Sequence, residues 1–194
     1  MTKGFKVFNK DWTCNSFQYE IGKTFEMDGS PICCNRGFHF CTNLSDCFNY
    51  YAFNSDNKVA EVEAIGEVVS DSGDTKHCTN KIKIVRELTW HEVLDLVNMG
   101  KDCTGYRNSG DCNSGNRNSG NRNSGNRNSG DCNSGDCNSG DCNSGDWNDT
   151  SFSNGVFNTK EPNIYMFDEL TEMTYRDWLN HPARFILNGV PFDE

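Results

Sequence analysis

The chain has 194 residues, a formal net charge of −10 and 35% hydrophobic residues, values that suit one or two compact domains. No stretch of about 18 apolar residues exists, so no membrane span is expected, and the N-terminus lacks the long apolar core of a signal peptide. Lysine and arginine form no basic stripe, which argues against direct binding of nucleic acid. Eleven cysteines, an odd number, are interpreted as reduced thiols of a cytoplasmic protein.

Residues 1–100 are predicted to form an α+β domain. Apolar residues that alternate with charged ones predict strands at 60–64 and 82–84, and a further short strand is predicted at 5–8. Apolar residues at i, i+3, i+4 and i+7 predict an amphipathic helix over 44–51. Thr89 and Glu92 are spaced as a capping box, which predicts a second helix that ends at Gly100.

One segment of this domain resembles a catalytic family. The Gly-Phe-His-Phe sequence at 37–40, the helix that ends near Tyr50 and the strand at 62–68 resemble the centre of ADP-ribosyltransferases of the poly-ADP-ribose polymerase type, over about 32 residues. The resemblance places His39 on the tyrosine that stacks on nicotinamide, Cys47 on a serine and Tyr50 on a second tyrosine. It implies a pocket floored by His39, with Tyr19 and Tyr50 near, that takes NAD or a derivative. His39 and Tyr50 are the candidate catalytic residues.

Two residues that the family needs for activity are missing. The place of the early histidine or arginine is taken by Phe5-Lys6-Val7, and the place of the late glutamate by Thr79-Asn80. An enzymatic role is therefore uncertain and a non-enzymatic role is favoured. The alternative interpretation of His39 is a histidine that is hydrogen-bonded within a strand.

A metal site is the other chemical possibility for this domain. Four cysteines and one histidine lie within fifteen residues: Cys33, Cys34, His39, Cys41 and Cys47. Their gaps are irregular and do not match the paired Cys-x2–4-Cys knuckles of zinc sites. Small buried thiols are the favoured interpretation, and no metal ligand is assigned.

Residues 101–160 repeat every five residues. The frame is Asn or Asp, then Arg, Cys or Trp, then Asn-Ser-Gly, and eight pentads carry an identical Asn-Ser-Gly. A disordered linker is one interpretation, but a linker does not need a fixed phase. A strict phase, with glycine where a corner needs positive φ, favours a solenoid in which coils stack by backbone hydrogen bonds.

This run resembles the pentapeptide-repeat proteins, in the Asn-x-Gly-rich form that phages and bacteria carry. The resemblance implies a right-handed, four-sided β-helix with twenty residues per coil, hence about three coils. The chain departs from the usual form, which has Leu or Phe in the central inward slot. The second slot of each pentad is predicted to face outward.

Twenty residues per coil would stack residues twenty apart. The predicted columns are Arg107–Arg127–Trp147, Cys112–Cys132–Phe152, Arg117–Cys137–Phe157 and Arg122–Cys142. Trp147 would lie over Arg127 in a cation–π contact. Cys112 and Cys132 could reach disulfide distance, although reduced thiols are favoured. The predicted binding surface consists of Arg107, Arg117, Arg122, Arg127 and Trp147, because Arg and Trp are common binding hot spots.

Residues 161–194 are predicted to form a small C-terminal cap. A strand is predicted at 163–167 and a short helix after Thr174, which Pro182 stops. The apolar residues that should dock on the last coil or on the first domain are Phe185, Ile186, Leu187, Val190 and Phe192. With Phe152 and Phe157 at its start, the cap would prevent coils from stacking end to end.

The whole layout resembles proteins of phages and prophages, from Lys-Gly-Phe-Lys-Val-Phe at 3–8 to Phe-Asn-Thr-x-x-Pro at 157–162. The leading hypothesis is a non-enzymatic phage or prophage product in the host cytoplasm that binds a protein partner, as an inhibitor of host defence or of another host machine. No cofactor is expected. An ADP-ribosyltransferase-like enzyme or NAD-derivative binder, with NAD as ligand, is the alternative. An oligomeric scaffold is a third possibility.

Overall fold

The structure is a computed structural model that describes residues 1–70 and 75–189. The chain divides into two compact units, Met1–Met99 and Gly100–Glu194. Within the described ranges, which contain all eleven cysteines, no disulfide is formed.

The first unit is built on an antiparallel sheet. Its described strands are β1 (Thr2–Phe8), β2 (Thr13–Cys14), β3 (Phe17–Gln18), β4 (Thr24–Glu26), β5 (Phe38–Cys41), β6 (Lys58–Ala64), β7 (Val68–Ser70), β8 (Lys76–Thr79) and β9 (Lys81–Glu87). Strands β2 and β3 form a separate hairpin, and the others form one sheet in the order β4-β9-β6-β1-β5-β8-β7. The strands predicted at 5–8, 60–64 and 82–84 are confirmed within β1, β6 and β9.

The core of this unit follows from the alternation in its strands. In β6, Ala60 and Val62 are at most 1% exposed, and the register pairs Val62 with the fully buried Ile84 of β9. Aromatic side chains of Phe8, Tyr19 and Phe38 complete the same cluster. Burial of this apolar area stabilises the unit by roughly 25 cal/mol per Å².

Two short helices, α1 (Leu44–Cys47) and α2 (Trp90–Val97), complete the first unit. The helix predicted over 44–51 is wrong beyond its first turn, because α1 ends at Phe48. Phe48 is still buried, so its burial does not require a longer helix. The capping box of Thr89 and Glu92 is confirmed. Helix α2 ends before Gly100, because the Asn98 side chain donates to the Leu94 carbonyl at 3.0 Å and closes the last turn.

The repeat of the second unit folds as a β-solenoid. Parallel bridges join residues ten apart and form two ladders, Ser109–Ser119–Ser129–Ser139–Asp149 and Ser114–Ser124–Ser134–Ser144–Asn154. One coil therefore takes two pentads. The predicted twenty-residue, four-sided coil is wrong, and the count of about three coils that depended on it has no support. Right-handedness stays a prediction.

The small third-slot residue explains the narrow coil. Asn113, 1% exposed, donates from its side chain to the Gly120 carbonyl of the opposite ladder at 2.7 Å. An asparagine spans this distance, whereas the Leu or Phe of the usual form would hold the two ladders farther apart. Asparagine in place of Leu or Phe at the third slot therefore accounts for a coil that has two sides rather than four.

Hydrogen bonds between coils satisfy the backbone donor of every slot of the pentad. The third-slot amide bonds the previous asparagine side chain, as Asn123 N does to Asn113 Oδ1 at 2.9 Å. The first-slot amide bonds the next coil's first-slot side chain, as Asn121 N does to Asp131 Oδ1 at 2.7 Å. The remaining three amides donate to carbonyls of neighbouring coils. Buried amides need such partners, so asparagine takes the place of an apolar core.

The second slot faces outward, as predicted, and has a left-handed backbone. Its residues from Arg107 to Phe157 have φ of 58–59°, and Arg117, Arg122 and Arg127 are exposed. At the fifth slot, Gly120 has a φ of +97°, and a Cβ there would overlap the carbonyl of Gly130. Glycine thus permits both the turn and the close stacking of coils.

The C-terminal residues of the second unit form β10 (Asn163–Met166), β11 (Glu169–Thr174), α3 (Tyr175–Leu179) and α4 (Pro182–Asn188). The predicted strand and the helix after Thr174 are confirmed. Pro182 begins α4 instead of only ending α3, because proline is favoured in the first turn of a helix.

The predicted docking of the last apolar residues is wrong where the structure describes them. Phe185, Ile186 and Leu187 are 57–70% exposed, and Val190 and Phe192 lie outside the described residues. The contact between solenoid and cap comes instead from Phe152, whose ring centroid lies 4.8 Å from that of Tyr175.

Candidate functional site

A pocket of about 590 Å³ in the first unit is the candidate site. It lies where β1 and β5 meet, and these strands share one register pair, Phe5 with Cys41. Lys6 of β1 and the β5 residues 38–41 line it, together with residues of the β2–β3 hairpin and of the turns after α1. The volume is within the range of pockets that bind small molecules.

Lys6 places a buried cation in this pocket. Its side chain is 5% exposed, and Nζ donates to the His39 carbonyl at 2.9 Å and to Cys14 Sγ at 3.5 Å. The ammonium also lies 5.4 Å from the Tyr19 ring centroid. In the described part of the chain no carboxylate pairs with it. A buried ammonium held by neutral groups alone is costly, which is typical of a functional site.

Lys76 of β8 brings a second cation to the same pocket. Its Nζ lies 4.3 Å from the ring centroid of Tyr50 and 3.1 Å from Cys34 Sγ. Tyr50 is 52% exposed, so its ring forms part of the rim. The residues predicted to surround one pocket all belong to this lining: His39, Tyr19 and Tyr50.

His39 is fixed by backbone groups on both sides of its ring. Nε2 accepts from the Cys34 amide at 2.9 Å, and a hydrogen bond involves the Gly37 backbone. Burial, reinforced by the charges of Lys76 and Lys6, lowers the pKa of His39 below its usual value of 6.5. The lowered pKa favours the neutral imidazole, whose Nε2 accepts the Cys34 hydrogen bond. This geometry suits a ring that forms part of the wall, and a catalytic role for His39 or Tyr50 stays a prediction.

An aromatic wall faces the two lysines. The ring of Tyr19 lies 4.8 Å from Phe17 and 6.1 Å from Phe38, all between centroids and in edge-to-face geometry. Phe17 is 43% exposed, which leaves part of its ring accessible. Burial raises the pKa of both Tyr19 and Tyr51, so these phenols remain neutral. The hydroxyl of Tyr51 donates to Cys14 Sγ at 2.9 Å.

The charge of the pocket is opposite to that of its unit. Residues 1–100 carry ten basic and fourteen acidic side chains, a net charge of −4. The pocket lining, by contrast, contains Lys6 and Lys76 and no aspartate or glutamate among the described residues. A cavity with positive charge and accessible rings favours an anionic ligand that has a planar group.

Three cysteines of this unit, Cys41, Cys47 and Cys78, are buried thiols. Cys41 and Cys47 are at most 5% exposed, and a hydrogen bond with Cys41, together with burial, raises the pKa of Cys47. Burial raises the pKa of Cys78 to about 11. No group of three or more His, Cys, Asp or Glu side chains within residues 1–70 and 75–189 could hold a metal ion.

The predicted binding surface of the solenoid separates into two columns. Because neighbouring coils stack residues ten apart, one column contains Arg107, Arg117, Arg127, Cys137, Trp147 and Phe157. The other contains Cys112, Arg122, Cys132, Cys142 and Phe152. Trp147 is 57% exposed and stacks on Phe157 at 6.4 Å between centroids, so the predicted contact of Trp147 with Arg127 is wrong: Cys137 lies between them.

Sequence reasoning missed both lysines of the pocket. Lys6 lies between Phe5 and Val7, an alternation that predicts an outward lysine, whereas the structure buries Lys6. Lys76 gives no local signal, because it is the first residue of strand β8.

Two family models match the chain. Residues 2–96 match a domain of unknown function, DUF7666, and residues 96–136 match pentapeptide repeats in eight copies. No curated protein and no solved structure matches the chain. Within the described residues, no helix has the length and apolar character needed to cross a membrane. By these matches the chain is similar to a DUF7666 domain followed by pentapeptide repeats.

Proposed function

We propose that this is a non-enzymatic binding protein whose first unit takes a small anionic ligand with a planar ring, a nucleotide or an NAD derivative. The observation that carries the proposal is Lys6: a buried ammonium that faces a cavity and has no carboxylate partner in the described residues. An anionic group would supply the missing countercharge. The exposed part of Phe17 and the rim ring of Tyr50 would contact the planar group.

The test is calorimetric titration of the full chain with AMP, NAD, ADP-ribose, inorganic pyrophosphate and uncharged adenosine. We expect the phosphorylated nucleotides to bind and adenosine not to bind. Pyrophosphate binding without nucleotide preference would show that the phosphate alone is recognised. The proposal is overturned if none of the anions binds.

Three lysine variants separate a ligand contact from a structural role. Lys6→Met should lower nucleotide affinity about 10- to 100-fold, the loss of one charge-assisted hydrogen bond. Because the change also removes a buried charge, the unfolding midpoint should stay the same or rise. Lys76→Met should lower affinity less, since Lys76 is half-buried. Lys3→Met is the matched control on the same strand, where the Lys3 side chain is 81% exposed, and it should leave affinity unchanged.

The enzymatic alternative, ADP-ribosyl transfer, has a separate test. Incubation of the full chain with labelled NAD and bacterial lysate would transfer label if the pocket is catalytic, and His39→Ala would abolish the transfer. The described lining supplies no carboxylate to polarise the ribose, which is why binding is preferred to transfer.

A second candidate function, binding of a protein partner, is favoured by the composition of one solenoid column. Arg107, Arg117 and Arg127 occupy three consecutive coils, and the exposed stack of Trp147 and Phe157 lies farther along the same column. Arginines at a spacing of about 4.8 Å beside exposed rings fit a partner segment with acidic and apolar residues. The finer hypothesis, a phage product that inhibits a host machine in the host cytoplasm, rests on sequence resemblance.

Affinity capture with matched variants tests this surface. Partner retention should be lost in the double variant Arg117→Ala and Arg127→Ala, and kept in Arg122→Ala, which changes the opposite column. Equal retention in all variants would count against the surface. A scaffold role would instead appear as stable self-assembly in light scattering.

A further inference from the structure

Two cysteines of the solenoid occupy the same position on neighbouring coils. Cys132 and Cys142 are ten residues apart and have φ of 59° and 58°. The amide of Cys142 donates to the carbonyl of Asp131 at 2.8 Å, which holds their backbones side by side. Both residues are exposed to solvent. Their side chains therefore leave equivalent backbone positions in the same direction.

The spacing of the coils suits a disulfide. Neighbouring strands of a ladder lie about 4.8 Å apart, and cysteines joined by a disulfide have Cα atoms about 4.4–6.8 Å apart. Burial and the Cys132 thiol, together with the nearby carboxylates of Asp141 and Asp131, raise the pKa of Cys142.

The other second-slot cysteines of the repeat, Cys112 and Cys137, do not share this geometry. Arg122 separates Cys112 from Cys132 in the same column, which puts two coil spacings, about 9.6 Å, between them. The predicted direct stacking of Cys112 on Cys132 is therefore wrong. Cys137 lies in the opposite column, between Arg127 and Trp147.

We propose that Cys132 and Cys142 are a reversible disulfide site that links two neighbouring coils, with a disulfide of the glutathione class as oxidant. One cysteine thiolate attacks a sulfur of glutathione disulfide, the glutathione S–S bond breaks, and one glutathione leaves and takes up a proton. The second cysteine thiolate then attacks the protein sulfur of the mixed disulfide and releases the second glutathione. Two thiols are oxidised and one glutathione disulfide is reduced.

The bond would change how the coils are held together. The described coils are joined to each other by hydrogen bonds and stacking, so a single covalent link limits their separation during unfolding. Excess thiol reductant reverses the link. In a reducing compartment such a pair acts as a temporary modification and not as a structural staple.

The experiment uses the full chain and four forms: wild type, Cys132→Ser, Cys142→Ser and Cys137→Ser. Each is incubated with glutathione disulfide, alkylated under denaturing conditions and weighed as an intact protein. Wild type and Cys137→Ser should lose two alkylatable thiols without gaining glutathione. Cys132→Ser and Cys142→Ser should keep the one remaining thiol of the pair, either free or as a glutathione adduct. Serine at an exposed second slot leaves the fold intact, which circular dichroism verifies.

Thermal unfolding gives the second measurement. Oxidation should raise the unfolding midpoint of wild type and Cys137→Ser by about 3 °C and leave that of Cys132→Ser unchanged. An intramolecular disulfide that survives in both Cys132→Ser and Cys142→Ser, or one that requires Cys137, overturns the proposal. So does a wild type that keeps all its thiols when glutathione disulfide is in large excess.

Discussion

Each of the two units of this protein is stabilised by a different kind of core. In the first unit, Ile82, Ile84 and Phe8 are fully buried, and the burial of apolar area stabilises the sheet. In the solenoid the equally buried positions are asparagines, at 1–2% exposure, and each bonds the coils beside it. The core of the first unit depends on side-chain volume, whereas the core of the solenoid depends on hydrogen-bond partners.

This difference determines which substitutions each unit tolerates. An apolar core accepts a swap that keeps volume, because the area buried hardly changes. An asparagine core does not, because the loss of one amide leaves a donor and an acceptor on neighbouring coils without partners. In the solenoid the coils are also close enough for one added methyl group to overlap a carbonyl of the next coil.

The largest effect is expected from Gly120→Ala. The new Cβ overlaps the Gly130 carbonyl and the backbone keeps a φ of +97°, so we expect destabilisation of about 3–4 kcal/mol. Gly155→Ala is the matched control: φ is +102°, but the nearest atom to its Cβ is 3.8 Å away, at Asn158. It should cost about 1–2 kcal/mol. Equal losses in guanidinium unfolding would show that coils do not stack at this slot.

Two substitutions to leucine, one at a buried position of each core, compare the two cores directly. Asn123→Leu removes the partner of the Asn133 amide at 3.0 Å and of the Gly130 carbonyl at 2.9 Å, and should cost about 3 kcal/mol. Ile84→Leu, at a fully buried site of the first unit, should cost less than about 1.5 kcal/mol. Denaturant unfolding followed by circular dichroism measures both. A smaller loss for Asn123→Leu than for Ile84→Leu would contradict a core held by hydrogen bonds.

The smallest effect concerns a comparable side-chain bond to the backbone in the first unit, in the capping box of α2. Backbone hydrogen bonding at Thr89 and the side chains of Arg86 and Thr89 lower the pKa of Glu92 to about 2. Since the folded-state pKa is depressed, the stabilisation is present above about 4.5 and is lost as pH falls toward 2. Glu92→Gln should lower the unfolding midpoint at pH 7 and have no effect near pH 2.

Glu20→Gln controls for the loss of a surface charge. The Glu20 carboxylate is 69% exposed and 3.8 Å from Lys23, so its removal should leave the midpoint unchanged at both pH values. A pH-independent loss in Glu92→Gln would show that the carboxylate is not the group that caps the helix.

The sequence predicted the elements whose signals are local. Alternation located β6 and β9, and the spacing of Thr89 and Glu92 located the start of α2, because each pattern is set by residues within one element. The five-residue phase likewise predicted a solenoid with glycine at positive φ and the second slot outward. It could not decide the coil size, because identical pentads fit ten or twenty residues per coil equally well.

The pocket was predictable only in part. The resemblance brought His39, Tyr19 and Tyr50 to one place, and these residues do line one cavity. Lys6 and Lys76 come together through the neighbouring strands β1, β5 and β8, which are distant in the chain and whose pairing no local pattern encodes. For the same reason Cys132 and Cys142 became neighbours only once the ten-residue coil was known.

Nuclear Overhauser spectroscopy on protein labelled at tryptophan and phenylalanine tests the ten-residue coil most directly, since Trp147 and Phe157 are distinct residues in a repetitive chain. Stacked rings 6.4 Å apart should give cross-peaks between the Trp147 indole and the Phe157 ring. Cross-peaks from Trp147 to the Arg127 side chain, with none to Phe157, would indicate stacking of residues twenty apart and contradict the fold described for the solenoid.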